Sequence, residues 1–494
     1  MGVVIAIDAG TTGVRAFAVD EAGRPVGWAY REFTQHFPRP GWVEHDASEI
    51  WDAVRTTLAE VVDAVAQPVI ALGITDQRET VVVWDRRTGR PLHRAIVWQD
   101  RRTAARCEEL RDAGHLPLVR RRTGLVLDPY FSGTKLAWLF DEGGVARGPD
   151  VLAGTIDAWL LWNLTGGAVH ATDPSNASRT MLFDIQTLAW SDELCAVLGV
   201  DAAVLPEVRP SSGRFGVTVD GTGVPAGVPV SGIAGDQQAA LFGQACVTPG
   251  LTKNTYGTGS FVLMNVGETC PDPVEGLLTT VAWTIDGRPG ATYALEGAVF
   301  VTGAAVQWLR DELRIITDAG EVEALAASVT STDGVYLVPA FAGLGSPWWD
   351  PYARGTIVGI TRGTGRAQLA RAVLEAMAFQ TRDVVEAMSA ASGHPILALR
   401  ADGGASENGL LLQLQADQLG VAVQRPEVRE TTALGAAYLA GLAEGVWSGL
   451  DEVAAQWTLD VEVHPSDDTT SADAAHAGWR RAVERSRDWA REEG

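Results

Sequence analysis

Short continuous apolar runs alternate along the chain with longer stretches in which apolar residues recur every three or four positions. The first run, Val3 to Ile7, leads through Asp8 and a Gly10-Thr-Thr-Gly13 turn into a second, Val14 to Val19. Runs of this length bounded by glycine predict buried strands, and a short turn between two of them predicts a hairpin. Val69 to Ile74 and Val81 to Trp84 predict two further strands. Over 367–388, Leu369, Ala372, Val373, Ala376 and Met377 fall at i, i+3, i+4, i+7 and i+8, the stripe that a helix lays against a core. Strands interleaved with helices in this way place the chain in the α/β class.

The opening pattern returns once. Leu251 to Tyr256, a Gly-Thr-Gly turn and Ser260 to Asn265 repeat the strand–turn–strand, with Thr258 in the turn as Thr11 and Thr12 are in the first. Pro249 and Gly250 punctuate the stretch before it. Two lobes are therefore expected, 1–248 and 249–494, each offering a hairpin to a phosphate. From about Asp451 the chain turns polar and acidic and is expected to pack as peripheral helices.

Composition narrows the partners. With 62 acidic against 39 basic residues the formal charge is −23, which argues against binding nucleic acid or an anionic membrane. Nothing in it opposes a nucleotide, whose phosphates need only a few local donors. The four cysteines, Cys107, Cys195, Cys246 and Cys270, form no C-x-x-C pair and no zinc spacing, so they are expected as reduced thiols. No apolar run reaches the length of a membrane span, and the N-terminus has no basic region ahead of its apolar residues, so a cytoplasmic location is expected. There is no G-x-x-x-x-G-K-[ST], and the single G-x-G-x-x-A, at Gly221 to Ala226, runs into Gly-Val-Pro rather than a helix.

Five segments carry residue types suited to chemistry. In Asp8-Ala-Gly-Thr-Thr-Gly-Val-Arg15, turn N–H groups and threonine hydroxyls suit phosphate oxygens, and a carboxylate at the strand end suits Mg²⁺. The same residues also make an ordinary capped hairpin. Tyr256-Gly-Thr-Gly-Ser260 offers a second such turn. Ala401-Asp-Gly-Gly-Ala-Ser-Glu-Asn408 follows the run Ile396 to Leu399 and precedes Leu410, Leu411 and Leu414 at helical spacing, a strand–glycine–helix junction that admits a nucleotide closely. Asp236, between an apolar run and Ala239, Leu241 and Phe242, is placed either as a helix cap or as a general base at a cleft. Thr75-Asp-Gln-Arg78-Glu79, with Trp98 downstream, pairs donors and acceptors fit for a polyol, or forms a surface ion pair.

Together these residues resemble the FGGY carbohydrate kinases, over Ile5 to about Ala482. Tyr130-Phe-Ser-Gly-Thr-Lys135-Leu-Ala-Trp138 looks like one family signature. Gly355-Thr-Ile-Val-Gly-Ile360, followed by Gln368 and Ala372-Val-Leu-Glu375, looks like the other. The segment Phe341 to Asp350 is similar to the one that crosses between the family's lobes. Pro40 to Asp46, Gln77 to Thr80, Ser175 to Leu182, Gly232 to Gly243 and Glu296 to Phe300 are similar to the members that act on glycerol.

The resemblance implies two lobes of the ribonuclease-H-like, actin-type ATPase fold with the active site in the cleft between them. It implies an ATP-dependent, Mg²⁺-requiring phosphorylation of glycerol to sn-glycerol 3-phosphate. Erythritol, xylulose or ribulose remain alternative acceptors, and a non-catalytic actin-like sensor a further reading. Carried over residue by residue, Asp8 would bind Mg²⁺, and Thr11, Thr12, Gly13 and Arg15 would contact nucleotide phosphates. Arg78, Glu79, Tyr130 and Asp236 would hold glycerol with Gln237 beside them, and Trp98 and Phe261 would cover its carbons. Thr258, Gly303, Gln307, Gly404 and Asn408 would contact ATP, and Asp236 would be the general base. A homodimer or homotetramer is implied by the same analogy.

This chain also departs from the pattern. Ala9 replaces the usual glutamine, Gly13 and Val14 replace two serines, and Asp76 stands where asparagine is common. The stretch Gly221 to Pro229, where relatives bind a regulatory sugar bisphosphate, has neither Lys nor Arg.

Overall fold

The apolar runs become the central strands of two sheets in the computed structural model, which describes residues 2–467 and 469–491. The first sheet has six strands in the order Ser212–Val217, Pro229–Gly235, Val69–Asp76, Val3–Ala9, Gly13–Asp20 and Pro25–Glu32. Its three central strands run parallel, with Ala9 opposite Asp76 and Asp76 opposite Gly235. Parallel strands are buried on both faces, which is why they read as continuous apolar runs. The strand Val81–Asp85 belongs instead to a separate five-stranded sheet, between Ala95–Ile96 and Val151–Thr155.

The second sheet has seven strands, in the order Leu278–Trp283, Thr292–Val299, Ser260–Gly267, Leu251–Tyr256, Ala398–Gly403, Val423–Pro426 and Leu459–Val463. Its central hairpin mirrors the first. Tyr256 pairs Ser260 across the turn as Ala9 pairs Val14, and each leading strand has a parallel neighbour. The helix expected over 367–388 spans Arg366–Ser392 and is ended by Gly393 at φ 71°.

The C-terminal part differs from the expectation of peripheral helices alone. After the helix Leu450–Ala455, the strand Leu459–Val463 pairs with Val423–Pro426 and closes the sheet edge. In the last helix, Thr469–Ser486, Trp479 is fully buried against Phe379, and its indole N–H donates to Asp383 Oδ2 at 2.7 Å. The polar surface of that helix hid the buried stripe.

A helix crosses from one half to the other. The helix Thr431–Ala443, from the C-terminal half, packs on the helix Asp236–Gly243 and on the strands Val69–Asp76 and Pro229–Gly235. Its closest approaches fall at glycine. A Cβ on Gly435 would overlap the Ala239 carbonyl, one on Gly243 the Thr431 carbonyl, and one on Gly73 the Ala436 carbonyl. All four cysteines are free thiols, and among the described residues no helix is long and apolar enough to cross a membrane.

Candidate active site

Ligands of parallel α/β sheets sit beyond the carboxyl ends of the strands. Here those ends carry the Asp8 to Gly13 turn, the Asp76 to Glu79 segment and Asp236, brought level by the register of the three central strands. Arg78 and Glu79 both adopt the left-handed region, at φ 43° and 39°. For non-glycine residues this costs on the order of 1–3 kcal/mol each and persists only where the surroundings enforce it. Gly235 makes room for the turn, since a Cβ there would press on Arg78 Cγ at 2.5 Å and Cδ at 2.7 Å.

The enforcement is an ion network that is buried, not on the surface. Arg78 and Glu79 are 2% and 1% exposed, which rules out the surface-pair reading. Arg78 Nη1 donates to Glu296 Oε2 at 2.6 Å and Arg78 Nε pairs with Asp236 Oδ1 at 3.1 Å. Arg179 Nε donates to Glu79 Oε1 at 2.7 Å and Arg179 Nη2 to Glu296 Oε1 at 2.8 Å. Burial alone would raise the Glu296 carboxyl, but the two guanidiniums outweigh it and bring the group down to about 2. For Glu79 burial wins, and its carboxyl is raised.

The network leaves selected groups open. Glu79 Oε2 accepts no hydrogen bond from the described residues. Asp236 Oδ1 is held twice, by Arg78 Nε and by the Gln237 N–H at 2.7 Å, while Oδ2 accepts no hydrogen bond from the described residues. Tyr130 accepts from Arg78 Nη2 at 3.3 Å, and its ring meets Trp98 edge-on at 5.5 Å. Phe261 lies across the guanidinium of Arg78 at 5.9 Å. Arg78, Glu79, Trp98, Tyr130, Asp236, Gln237 and Phe261 therefore form one cluster in which the Asp236 side chain is partly exposed.

The first hairpin borders that cluster. Thr11 Oγ1 accepts from Trp98 Nε1 at 2.9 Å, and the Thr12 hydroxyl is exposed beside Tyr30 at 3.4 Å. Gly13 is buried against Tyr30 and the Arg31 carbonyl, and Arg15 pairs with Glu430 at 3.4 Å. The Asp8 carboxylate accepts no hydrogen bond from the described residues. Burial first, and the Asp236 charge second, raise it to about 7. Two neighbouring carboxylates with oxygens to spare suit a hard divalent cation that takes its other oxygen ligands from water and phosphate.

Thr258, Gly303, Gln307, Gly404 and Asn408 lie in turns and helix starts that follow strands of the second sheet. The Thr302 and Ala304 N–H groups donate to the Thr258 carbonyl, both at 3.0 Å, and Gly303 N–H donates to the Gly257 carbonyl at 3.1 Å. Gln307 and Gly404 are exposed, and Asn408 caps the helix Gly409–Leu419 by accepting from Leu411 N–H at 2.9 Å. Among the described residues no hydrogen bond or ion pair joins this group directly to the first hairpin.

Sequence reasoning missed several members. Arg179 and Glu296 complete the ion network, and Gln238 accepts from Arg78 Nη1 at 3.2 Å. Gly403, not Gly404, is the glycine that sterics demand: its φ is 81° and a Cβ would overlap the Tyr256 backbone, whereas nothing lies within 4 Å of one on Gly404. A charged residue inside the apolar strand Thr292–Val299 was the available signal for Glu296.

Residues 3–243 match the FGGY family of carbohydrate kinases, N-terminal domain, and residues 252–444 match its C-terminal domain. The chain is 55% identical over 497 residues to a glycerol kinase of Bordetella parapertussis, covering 99% of this chain and 98% of that protein. It is 54% identical over 497 residues to a glycerol kinase of Carboxydothermus hydrogenoformans, covering 99% of each. It superposes on the crystal structure of Plasmodium falciparum glycerol kinase with ADP at a TM-score of 0.94 and 35% identity, over 98% of both chains. A ligand-bound xylulose kinase from Lactobacillus acidophilus, 21% identical over 98% of both chains, shares the fold at a TM-score of 0.90. The chain thus belongs to the FGGY family of carbohydrate kinases, two-lobed α/β enzymes that transfer a phosphoryl group to an alcohol.

Proposed function

We propose that this chain transfers the γ-phosphoryl group of ATP to a terminal hydroxyl of glycerol, giving sn-glycerol 3-phosphate and ADP. The observation that carries this reading is the buried network that fixes Arg78 and Glu79 beside the free Oδ2 of Asp236. Glycerol is uncharged and small, so it is distinguished by the count and placement of its hydroxyls. Rigidly held donors and acceptors with bonding capacity to spare reject a molecule that leaves them unpaired. Glu79 Oε2 and the Tyr130 hydroxyl would hold hydroxyls, and the rings of Trp98 and Phe261 would cover the carbons. The glycerol kinases at 54% and 55% identity support glycerol over the longer polyols.

An alcohol is a weak acid, so the proton leaves late and needs an acceptor in line with the attack. Asp236 Oδ2 would be that acceptor, while Arg78 and the Gln237 N–H keep Oδ1 from turning. Thr11, Thr12, Gly13 and Arg15 would meet the phosphates from one lobe, and Thr258, Gly303, Gln307, Gly404 and Asn408 would meet ATP from the other. With donors on both lobes, closure over the nucleotide would align the reactants and exclude water. Asp8 would hold Mg²⁺, which when bound neutralises phosphate charge.

ADP release with MgATP, measured over glycerol, dihydroxyacetone, erythritol, xylulose, ribulose and gluconate, tests the reading. Glycerol should give the highest kcat/KM. Asp236→Asn should lose about 10²- to 10⁴-fold in kcat while still binding glycerol. A higher kcat/KM for another acceptor overturns the substrate, and near-normal turnover in the variant overturns the base.

A further inference from the structure

Lys253 lies in the strand Leu251–Tyr256 of the second sheet and its side chain is fully buried. The ammonium donates to Gln237 Oε1 and to Thr255 Oγ1, the latter at 3.0 Å. No carboxylate of the described residues forms an ion pair with it. Burying an ammonium without a counter-ion is costly even after relaxation. Burial lowers the group to about 8, with the charges of Asp402 and Asp236 opposing that shift. A cation kept at such a position points to a role in the site.

The contact has a directional consequence. An ammonium carries three donors and no acceptor, so the Gln237 atom facing it must be the carbonyl oxygen. The amide nitrogen therefore points the other way, where it makes no hydrogen bond to the described residues. Gln237 follows Asp236 in the first turn of the helix Asp236–Gly243.

We propose that Lys253 is a positioning residue for phosphoryl transfer, locking the Gln237 carboxamide so that its N–H donors face away from Lys253, toward the solvent-accessible side of Asp236. The inference rests on the kinase reading of the site. There the donors would meet the oxygens of the acceptor hydroxyl and the arriving phosphoryl group, where negative charge builds up in the transition state. The lock spans the two sheets, with Lys253 on one and Gln237 just beyond a strand of the other, so it forms only when the lobes are correctly seated.

A double-mutant cycle in the full chain, with saturating MgATP and varied glycerol, tests it. Lys253→Met should lower kcat about 10- to 100-fold, as expected for lost alignment, while the glycerol KM moves less than about threefold. Lys253→Arg should recover part of the loss. In a Gln237→Ala background the added Lys253→Met should cost less than about threefold more. Losses that multiply independently in the cycle, or a change confined to KM, would overturn the proposal. Should Lys253→Met fold poorly, Gln237→Glu decides the same question, because it supplies the missing counter-ion while removing the N–H donors. It should raise Tm and lower kcat, and a raised Tm with full kcat would overturn the lock. Glycerol turnover by the unaltered chain is measured alongside, so failure of the kinase reading appears separately from failure of the lock.

Discussion

Asp76 stands two residues before Arg78, fully buried, and neither of its carboxyl oxygens has a hydrogen-bond partner among the described residues. Burial first, then the charges of Asp157, Asp236 and Asp173, hold the group well above its ordinary 3.8. In the folded chain it keeps its proton at a pH where the unfolded chain has lost it. The unfolded state then binds fewer protons, so stability falls as pH rises from the unfolded value toward the folded one. Asp76→Asn keeps the shape without the ionisation. It should raise Tm at about pH 7–8, and the gain should shrink toward pH 4, as thermal melts across that range would read. A gain independent of pH would show the effect is not ionisation. At this scale the sequence made Arg78, Glu79 and Asp236 legible because they sit at the ends of recognisable strands. It concealed the pairing of Arg179 with Glu79 and of Glu296 with Arg78, across 100 and 218 positions, which no local pattern shows.

Among the elements, the helix Thr431–Ala443 is the least ordinary, being buried on nearly every side. Such a helix has no polar face, so no amphipathic period marks it in the sequence or orients it toward its neighbours. Its seat is cut by missing side chains at Gly73, Gly232, Gly243 and Gly435. Gly435→Ala would drive a methyl into the Ala239 carbonyl, and overpacking of this kind costs about 3 kcal/mol. Urea unfolding should show that loss. Because Ala239 lies in the helix that Asp236 begins, kcat should fall as well. Most strands were read one or two residues short at their carboxyl ends, as with Val69–Asp76 against Val69 to Ile74, whereas Leu251–Tyr256 was read to its last residue. Polar residues close these strands, and an apolar pattern stops where the chemistry begins.

For the molecule as a whole, Glu296 is the shared counter-charge between the sheets, accepting from Arg78 and Arg179. Glu296→Gln would leave two buried guanidiniums with less compensation, and breaking a buried pair costs about 3–5 kcal/mol. Calorimetry should show a lower Tm and glycerol turnover should drop. An unchanged Tm would mean the bridge contributes nothing to joining the lobes. The repeated hairpin announced two lobes from the sequence, but not the helix that stitches them, because no repeat or motif marks where a segment crosses over. That crossing bears on how such a chain can be recombined. A chimera that joins the first 248 residues of this chain to the remainder of a relative would set glycines of one ancestry against a helix of another. Segment 431–443 would have to travel with the N-terminal part for the surfaces to match. The inheritable module is thus discontinuous in sequence, and a breakpoint chosen by eye at the proline and glycine near 250 would divide it.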